Sequence, residues 1–264
     1  MNDKPSARCM QNRVIVITGG GKGIGRVTSE AFATKGAYVV VADIDLQAAE
    51  QTAAEIIGKQ GVALPLMVDV ADPAVVRRLV EDAVSKFSHI DVLINNAAIE
   101  IDKTIEDTTF EEWNRQLAVN LGGVFLCSKH FLPELRKTKG NIINMSSVNG
   151  YFAEPNCAGY CASKGAIIAL TKAMAIDHGR DGIRVNCICP GYIDAGLAEG
   201  YFQVQANPAA ARAAAGKLHA LGRIGRPEEV AQVALFLASD AASFVSGATF
   251  SVDGGFGAGL PPQS

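Results

Sequence analysis

Tyr160 and Lys164 stand four residues apart in the run Tyr160-Cys161-Ala162-Ser163-Lys164. On a helix this spacing sets a phenol and an ammonium on one face. A free tyrosine titrates near ~10 and is a poor base at neutral pH. A neighbouring cation favours the phenolate, and a phenol adjusted in this way can accept a proton from a substrate hydroxyl. Such pairs also arise by chance on helix surfaces, so the spacing carries chemistry only beside an independent motif.

That motif lies near the N-terminus. The run Val14-Ile15-Val16-Ile17-Thr18 leads into Gly19, Gly20, Gly21, Lys22, Gly23, Ile24 and Gly25, and a helical stretch follows from Arg26 to Lys35. Glycines allow a tight turn and a close backbone approach to a pyrophosphate. The helix that opens from them offers unpaired N–H groups and a positive dipole end. A second β-favouring run, Tyr38 to Ala42, ends in Asp43, 18 residues beyond Gly25. An acid at about 20 residues from the glycines is placed to bond the ribose 2′-hydroxyl of NAD. Asp43 could instead cap the next helix, but Asp45 is available for that.

Composition agrees with one large soluble domain. The 264 residues are 48% hydrophobic with a net charge of −3, enough for a single core of an α/β fold. No basic block points to nucleic acid or an anionic membrane, and no apolar run nears the ~18 residues of a membrane span. Residues 1–12 are polar and read as a flexible arm rather than a signal peptide. Cys9, Cys127, Cys157, Cys161, Cys187 and Cys189 suggest neither a disulfide framework nor a metal site, and the four histidines lack ligand spacing. A reduced, cytoplasmic setting follows, and no metal is expected.

Positioning these groups requires an alternating series of elements. Strands are expected near 13–18, 37–42, 62–68, 90–94, 140–146, 183–188 and 247–251. Helices are expected near 24–36, 45–59, 73–87, 109–137, 158–180 and 227–238, with start signals at Asp72-Pro73, Thr109 to Glu112 and Arg226 to Glu229. The alternation predicts an α/β, Rossmann-type doubly wound sheet of about seven parallel strands, helices on both faces, and a ligand at the carboxyl ends of the strands. The stretch 192–223 breaks the rhythm. It holds no strand, and Pro208 to Ala215 is strongly helical, as suits a small substrate lid. The domain thus runs over 13–256, with a tail at 257–264.

From about Val14 to Gly255 the chain resembles the short-chain dehydrogenase/reductase family. Thr18-Gly19-x-x-x-Gly23-x-Gly25 is that family's glycine spacing. Asp69, followed by Val70, matches its adenine-contacting acid, and Asn95-Asn96-Ala97-Ala98 its Asn-Asn-Ala-Gly, with Ala98 for glycine. Asn120 fits its structural and proton-relay asparagine, and Ile142 to Ser147 the strand bearing the serine. Pro190-Gly191, with Ile193, fits the loop over the nicotinamide, although Ala195 stands where a threonine usually bonds the carboxamide.

The resemblance implies hydride transfer between NAD and a secondary alcohol. Tyr160 would exchange the proton, Lys164 would hold the phenolate and the nicotinamide ribose, Ser147 would bond the substrate oxygen, and Asn120 would anchor a relay water. Strand alternation lets only one of Ser146 and Ser147 face the cleft. Cofactor contacts are expected at Gly19, Gly21, Lys22, Gly23, Ile24, Gly25, Asp43, Asp69, Val70, Asn96, Ala97, Pro190, Gly191 and Ile193. Substrate contacts are expected at Asn149, Glu154, Cys157 and Tyr192. Lys22 sits where NADP-preferring relatives carry a base, but Asp43 would face a 2′-phosphate directly, so NAD is favoured over NADP. Local runs are similar to dehydrogenases of hydroxylated rings, which points to a small cyclic or polyhydroxylated alcohol or ketone. A homotetramer is implied. The alternatives are a 3-oxoacyl-carrier-protein reductase using NADPH and a non-catalytic dinucleotide sensor.

Overall fold

Runs of β-branched and apolar residues form the strands that the pattern predicts. In the computed structural model, which describes residues 10–259, they are β1 (Val14–Thr18), β2 (Tyr38–Asp43), β3 (Val62–Met67), β4 (Val92–Asn95), β5 (Asn141–Met145), β6 (Arg184–Pro190) and β7 (Thr249–Val252). All pair in parallel, in the order β3-β2-β1-β4-β5-β6-β7. The chain winds outward from β1 to β3 and then returns to lay β4 on the other side of β1. The strand order therefore reverses between β1 and β4, and a crevice opens at their carboxyl ends.

Strand alternation divides the core. Ile15 and Ile17 of β1 face a layer with Phe32 and Val230, while Val14 and Val16 face a layer with Phe131 and Leu79. Helices α1 (Gly23–Thr34), α2 (Leu46–Gly58) and α9 (Pro227–Ala238) cover the first face. Helices α3 (Pro73–Phe87), α5 (Gly123–Thr138) and α6 (Ala158–His178) cover the second. Burial on both faces explains why β1, β4 and β5 are buried end to end.

The start signals act as expected. Asp45 accepts from the Ala48 N–H at 3.2 Å, Asp72 from Ala74 at 2.7 Å, and Thr109 and Glu112 close a reciprocal capping box. The long helix expected over 109–137 is interrupted. Helix α4 (Phe110–Leu117) widens into a π-turn at Ala118–Gly122 before α5 begins. The widening sends the Asn120 side chain to the backbone of Ile99, which donates its N–H at 2.8 Å and accepts through its carbonyl at 2.9 Å. Periodicity cannot reveal this change, because the same residues suit either turn.

The segment 192–223 carries two helices, α7 (Gly196–Gln203) and α8 (Pro208–Lys217). Arg212 joins them by ion pairs to Asp194 and Glu199. The expected loose arm is fastened where it is described. Met10 is fully buried in the first core layer, and its N–H bonds the Lys35 carbonyl at 3.1 Å. No helix among the described residues is long and apolar enough to cross a membrane.

Phe131 fills the second layer with no exposed surface. Phe131→Ala should lower the unfolding free energy by about 3–5 kcal/mol through the cavity it leaves. Denaturant titration measures this, and a loss below about 1 kcal/mol would mean that the layer can collapse around the gap.

Candidate active site

A cleft of about 1010 Å³ opens at the carboxyl ends of the strands, beside the β1/β4 crevice. Its floor is the loop between β1 and α1. A Cβ on Gly25 would lie 1.9 Å from the Gly19 carbonyl oxygen, so only glycine fits there, and Gly19 itself has φ +63°. Asn96 clamps this loop, donating from Nδ2 to the Thr18 and Gly19 carbonyls at 3.0 Å each. The close approach of bare backbone leaves room for a pyrophosphate against Gly19, Lys22, Gly23, Ile24 and Gly25, all of which line the cleft.

Asp43, at the end of β2, also lines the cleft and is 8% exposed. Its Oδ2 accepts from the Gly21 N–H at 2.9 Å and its Oδ1 from the Asp45 N–H at 3.0 Å. Gly21 itself is not on the cleft wall; its amide is turned to Asp43. Lys22 is ion-paired to Asp45 at 2.7 Å, and that contact raises its pKa. Asp69, Val70, Asn96 and Ala97 complete this half of the wall.

The other half holds Ser147, Tyr160 and Lys164. Ser146 and Ser147 both border the cleft, so the alternation expected to admit only one does not exclude the other; their hydrogen bonds set them apart. Ser146 Oγ is buried and donates to the Lys164 carbonyl at 2.7 Å, while Ser147 Oγ accepts from the Asn149 N–H at 3.2 Å at the cleft wall. Lys164 is 2% exposed; its Nζ donates to the Met145 carbonyl at 2.9 Å and lies 5.3 Å from the Tyr160 ring centroid. Burial pushes the Lys164 ammonium down to about 8. The Tyr160 phenol moves opposite to the sequence expectation. Burial and then the Glu100 charge raise it, and only the Ser147 hydroxyl pulls it down. The ammonium is spent on a carbonyl and the ring face rather than the phenolic oxygen, so desolvation wins.

Asn120 does not line the cleft. It is fully buried, and its Nδ2 hydrogens go to the Ile99 carbonyl and, at 3.2 Å, to Ser163 Oγ. It ties the loop after β4 to α6 from behind.

On the substrate side, Glu154 accepts from Asn149 Nδ2 at 2.9 Å and from the Tyr192 hydroxyl at 2.8 Å. Cys157 faces Glu100 and Asp102, with its thiol 3.6 and 3.8 Å from their carboxylates. Burial and those charges push the thiol pKa up, so it stays a protonated donor. Donor atoms of Glu100, Asp102 and Cys157 all lie within 4.8 Å of one another. Burial, reinforced by Asp102, raises the Glu100 carboxyl to about 7. The sequence reading missed Glu100 and Asp102 as wall residues. Their only signal was their place directly after the Asn96-Ala97 loop.

Pro190, Gly191, Tyr192 and Ile193 continue the wall, as does Ala195 where a threonine was expected. His219, also missed, holds this loop. The Tyr192 N–H donates to its Nε2 at 3.2 Å, so Nδ1 carries the proton and donates to the Ala215 carbonyl at 2.9 Å.

Comparison with known proteins places this geometry. A family model described as "Enoyl-(Acyl carrier protein) reductase" matches residues 19–257. The chain is 42% identical over 244 residues to meso-2,3-butanediol dehydrogenase of Serratia marcescens, covering 92% of this chain and 94% of that one. It is 38% identical over 257 residues to cyclohexanol dehydrogenase of Acinetobacter sp. (strain SE19), covering 96% and 98%. The crystal structure of levodione reductase matches with a TM-score of 0.92 at 33% identity, covering 95% of this chain and 100% of that one.

The two serines should separate by experiment. Ser147→Ala is expected to cost about 10²-fold or more in kcat with little change in Tm. Ser146→Ala should lower stability by about 1 kcal/mol and change kcat less. Steady-state kinetics with thermal unfolding decide it, and the reverse pattern would exchange their roles.

Proposed function

The chain belongs to the short-chain dehydrogenase/reductase family, and on that footing we propose that it transfers a hydride between NAD(H) and a secondary alcohol or ketone of a small cyclic or polyhydroxylated molecule. The observation that carries the proposal is the meeting of Ser147, Tyr160 and Lys164 in one cleft with the glycine loop and Asp43. The cleft fits a dinucleotide, because its floor is backbone that no Cβ could share and its ribose end is a carboxylate. NAD bound there would supply the hydride acceptor.

The chain's own groups account for the rest. Ser147 Oγ, steadied by the Asn149 N–H, is placed to bond the substrate oxygen as its charge changes. Tyr160 exchanges the proton. Its buried phenol is held protonated in the free protein, which suits it to donate in ketone reduction. For alcohol oxidation Lys164, directly beneath the ring, supplies the positive charge that a phenolate needs. Asn120 acts from behind, holding the Ile99 loop and Ser163 in register with this site. Helices α7 and α8 form a lid that excludes water.

NAD is favoured over NADP because a 2′-phosphate would meet Asp43 and Asp45 while Lys22 neutralises only one of them. The same carboxylates weigh against NADPH-dependent reduction of a carrier-bound 3-oxoacyl chain. An intact Ser147, Tyr160 and Lys164 weigh against a sensor without turnover. Exposed Phe110, Phe125 and Ile176 on α4, α5 and α6 support a homotetramer. The free state of all described cysteines supports a reducing, cytoplasmic setting.

Tyr160→Phe should reduce kcat by about 10²–10⁴-fold with NADH affinity nearly unchanged, read by nucleotide fluorescence beside turnover. A variant keeping a tenth of wild-type kcat would remove Tyr160 from the proton step. In kcat/KM the wild type should prefer NAD by at least ~100-fold, equivalent to roughly 2.7 kcal/mol. Asp43→Asn, whose amide oxygen can still receive the Gly21 N–H, should narrow that gap. Equal wild-type use of NADP would mean that Lys22 governs the ribose end.

A further inference from the structure

Three carboxylates stand around the reacting end of the cleft. Glu100 and Asp102 follow the β4 loop, and Glu154 lies in the turn before α6. None forms an ion pair within 4.0 Å with any described cation. Of the three cations that share the wall, two are engaged: Lys22 pairs with Asp45 at the ribose end and Lys164 donates to Met145, whereas Arg115 of α4 stands on the wall without a carboxylate partner among the described residues.

The acids are held in place by neutral donors. The Cys157 thiol faces Glu100 and Asp102 one helical turn before Tyr160, and the Lys103 N–H bonds the Asn156 carbonyl at 2.8 Å, strapping the two loops together. On the opposite side Asn149, which donates its N–H to Ser147 Oγ, presents its amide to Glu154, and Tyr192 donates its hydroxyl to the same carboxylate. The phenol of Tyr160, 8% exposed and bonded to no charged group, is directed into the space between these walls.

We propose that this acidic wall selects substrate by charge, admitting neutral polyols, hydroxyketones and amino alcohols and rejecting molecules with a carboxylate or phosphate beside the reacting carbon. The inference rests on the hydride-transfer reading above and names the substrate class of that site. An anionic group within a few ångströms of these carboxylates is repelled, most by the partly buried Glu100 and Glu154 and less by the exposed Asp102, whereas hydroxyl or ammonium hydrogens find ready acceptors. Selection acts by this penalty on the wrong partner as much as by attraction to the right one.

The selection should depend on pH. Glu100 gains its proton near about 7 under the influence of burial, Asp102 and Glu154, with Cys157 and Lys164 opposing. Tyr160 and Arg115 also share this wall. Above that pH the wall carries its full charge; below it one carboxylate is neutral and the discrimination relaxes.

The test uses purified wild-type enzyme with NAD and three matched rings: cyclohexane-1,2-diol, 2-aminocyclohexanol and 2-hydroxycyclohexanecarboxylate. At pH 8.5 the carboxylate should have a kcat/KM lower than the diol by on the order of 30-fold, and the amino alcohol should at least equal the diol. The diol-to-carboxylate ratio should fall several-fold at pH 6. Glu100→Gln and Asp102→Asn, made separately so that one misfolded variant does not end the experiment, should each lower the ratio at pH 8.5 and flatten its pH dependence. Equal use of diol and carboxylate by the wild type, or ratios unmoved in both variants, would overturn the charge selection while leaving the hydride-transfer reading intact. Inactivity toward all three rings and toward open-chain secondary alcohols, with either cofactor, would overturn both.

Discussion

The architecture turns on the contact between Gly25 and the Gly19 carbonyl, where no further atom can be accommodated. That approach brings the first turn of α1 down onto the end of β1. It also brings Thr18 and Gly19 within reach of Asn96, so the loops after β1 and β4 are bound into one floor. Asp43 extends the floor sideways by accepting the Gly21 N–H. A dinucleotide site is therefore a property of three neighbouring strand ends, and its precision comes from the sheet beneath them.

The chemistry-bearing side chains depend on a second scaffold, the packing of α6 against the loop after β5. Ser146 bonds the Lys164 carbonyl, and Lys164 returns a bond from Nζ to the Met145 carbonyl. These reciprocal bonds between strand end and helix fix Tyr160 relative to Ser147 without any contact to solvent. In such a dry setting burial, followed by the Glu100 charge, outweighs the ammonium beside the ring, which is why the direction of the Tyr160 shift differs from the value that spacing alone suggests.

Much of this was legible in the sequence. Strand runs, glycine spacing and helix caps are local, and a doubly wound sheet follows from their order, so the seven strands and the Asp45 cap fall where the pattern puts them. The groups that escaped are those whose meaning is tertiary. Glu100 and Asp102 are ordinary loop acids until the fold sets Cys157 between them, 55 to 57 residues away. Gly21 and Asn120 belong to motifs that line a cleft, yet their own hydrogen bonds turn them behind its wall. Met10 sits in a polar terminal stretch whose composition hides that one side chain reaches the core.

The π-turn at Ala118–Gly122 holds one residue more than an α-helical turn would need. Removing a residue from it would restore ordinary pitch and swing everything on one side by about 100° around the helix axis relative to the other. The capping box of α4 and the core face of α5 could not then both keep their neighbours. In this region the length of the chain is a more stringent constraint than the identity of its side chains, and relatives that share the Asn120 geometry should vary freely in composition here while keeping the residue count.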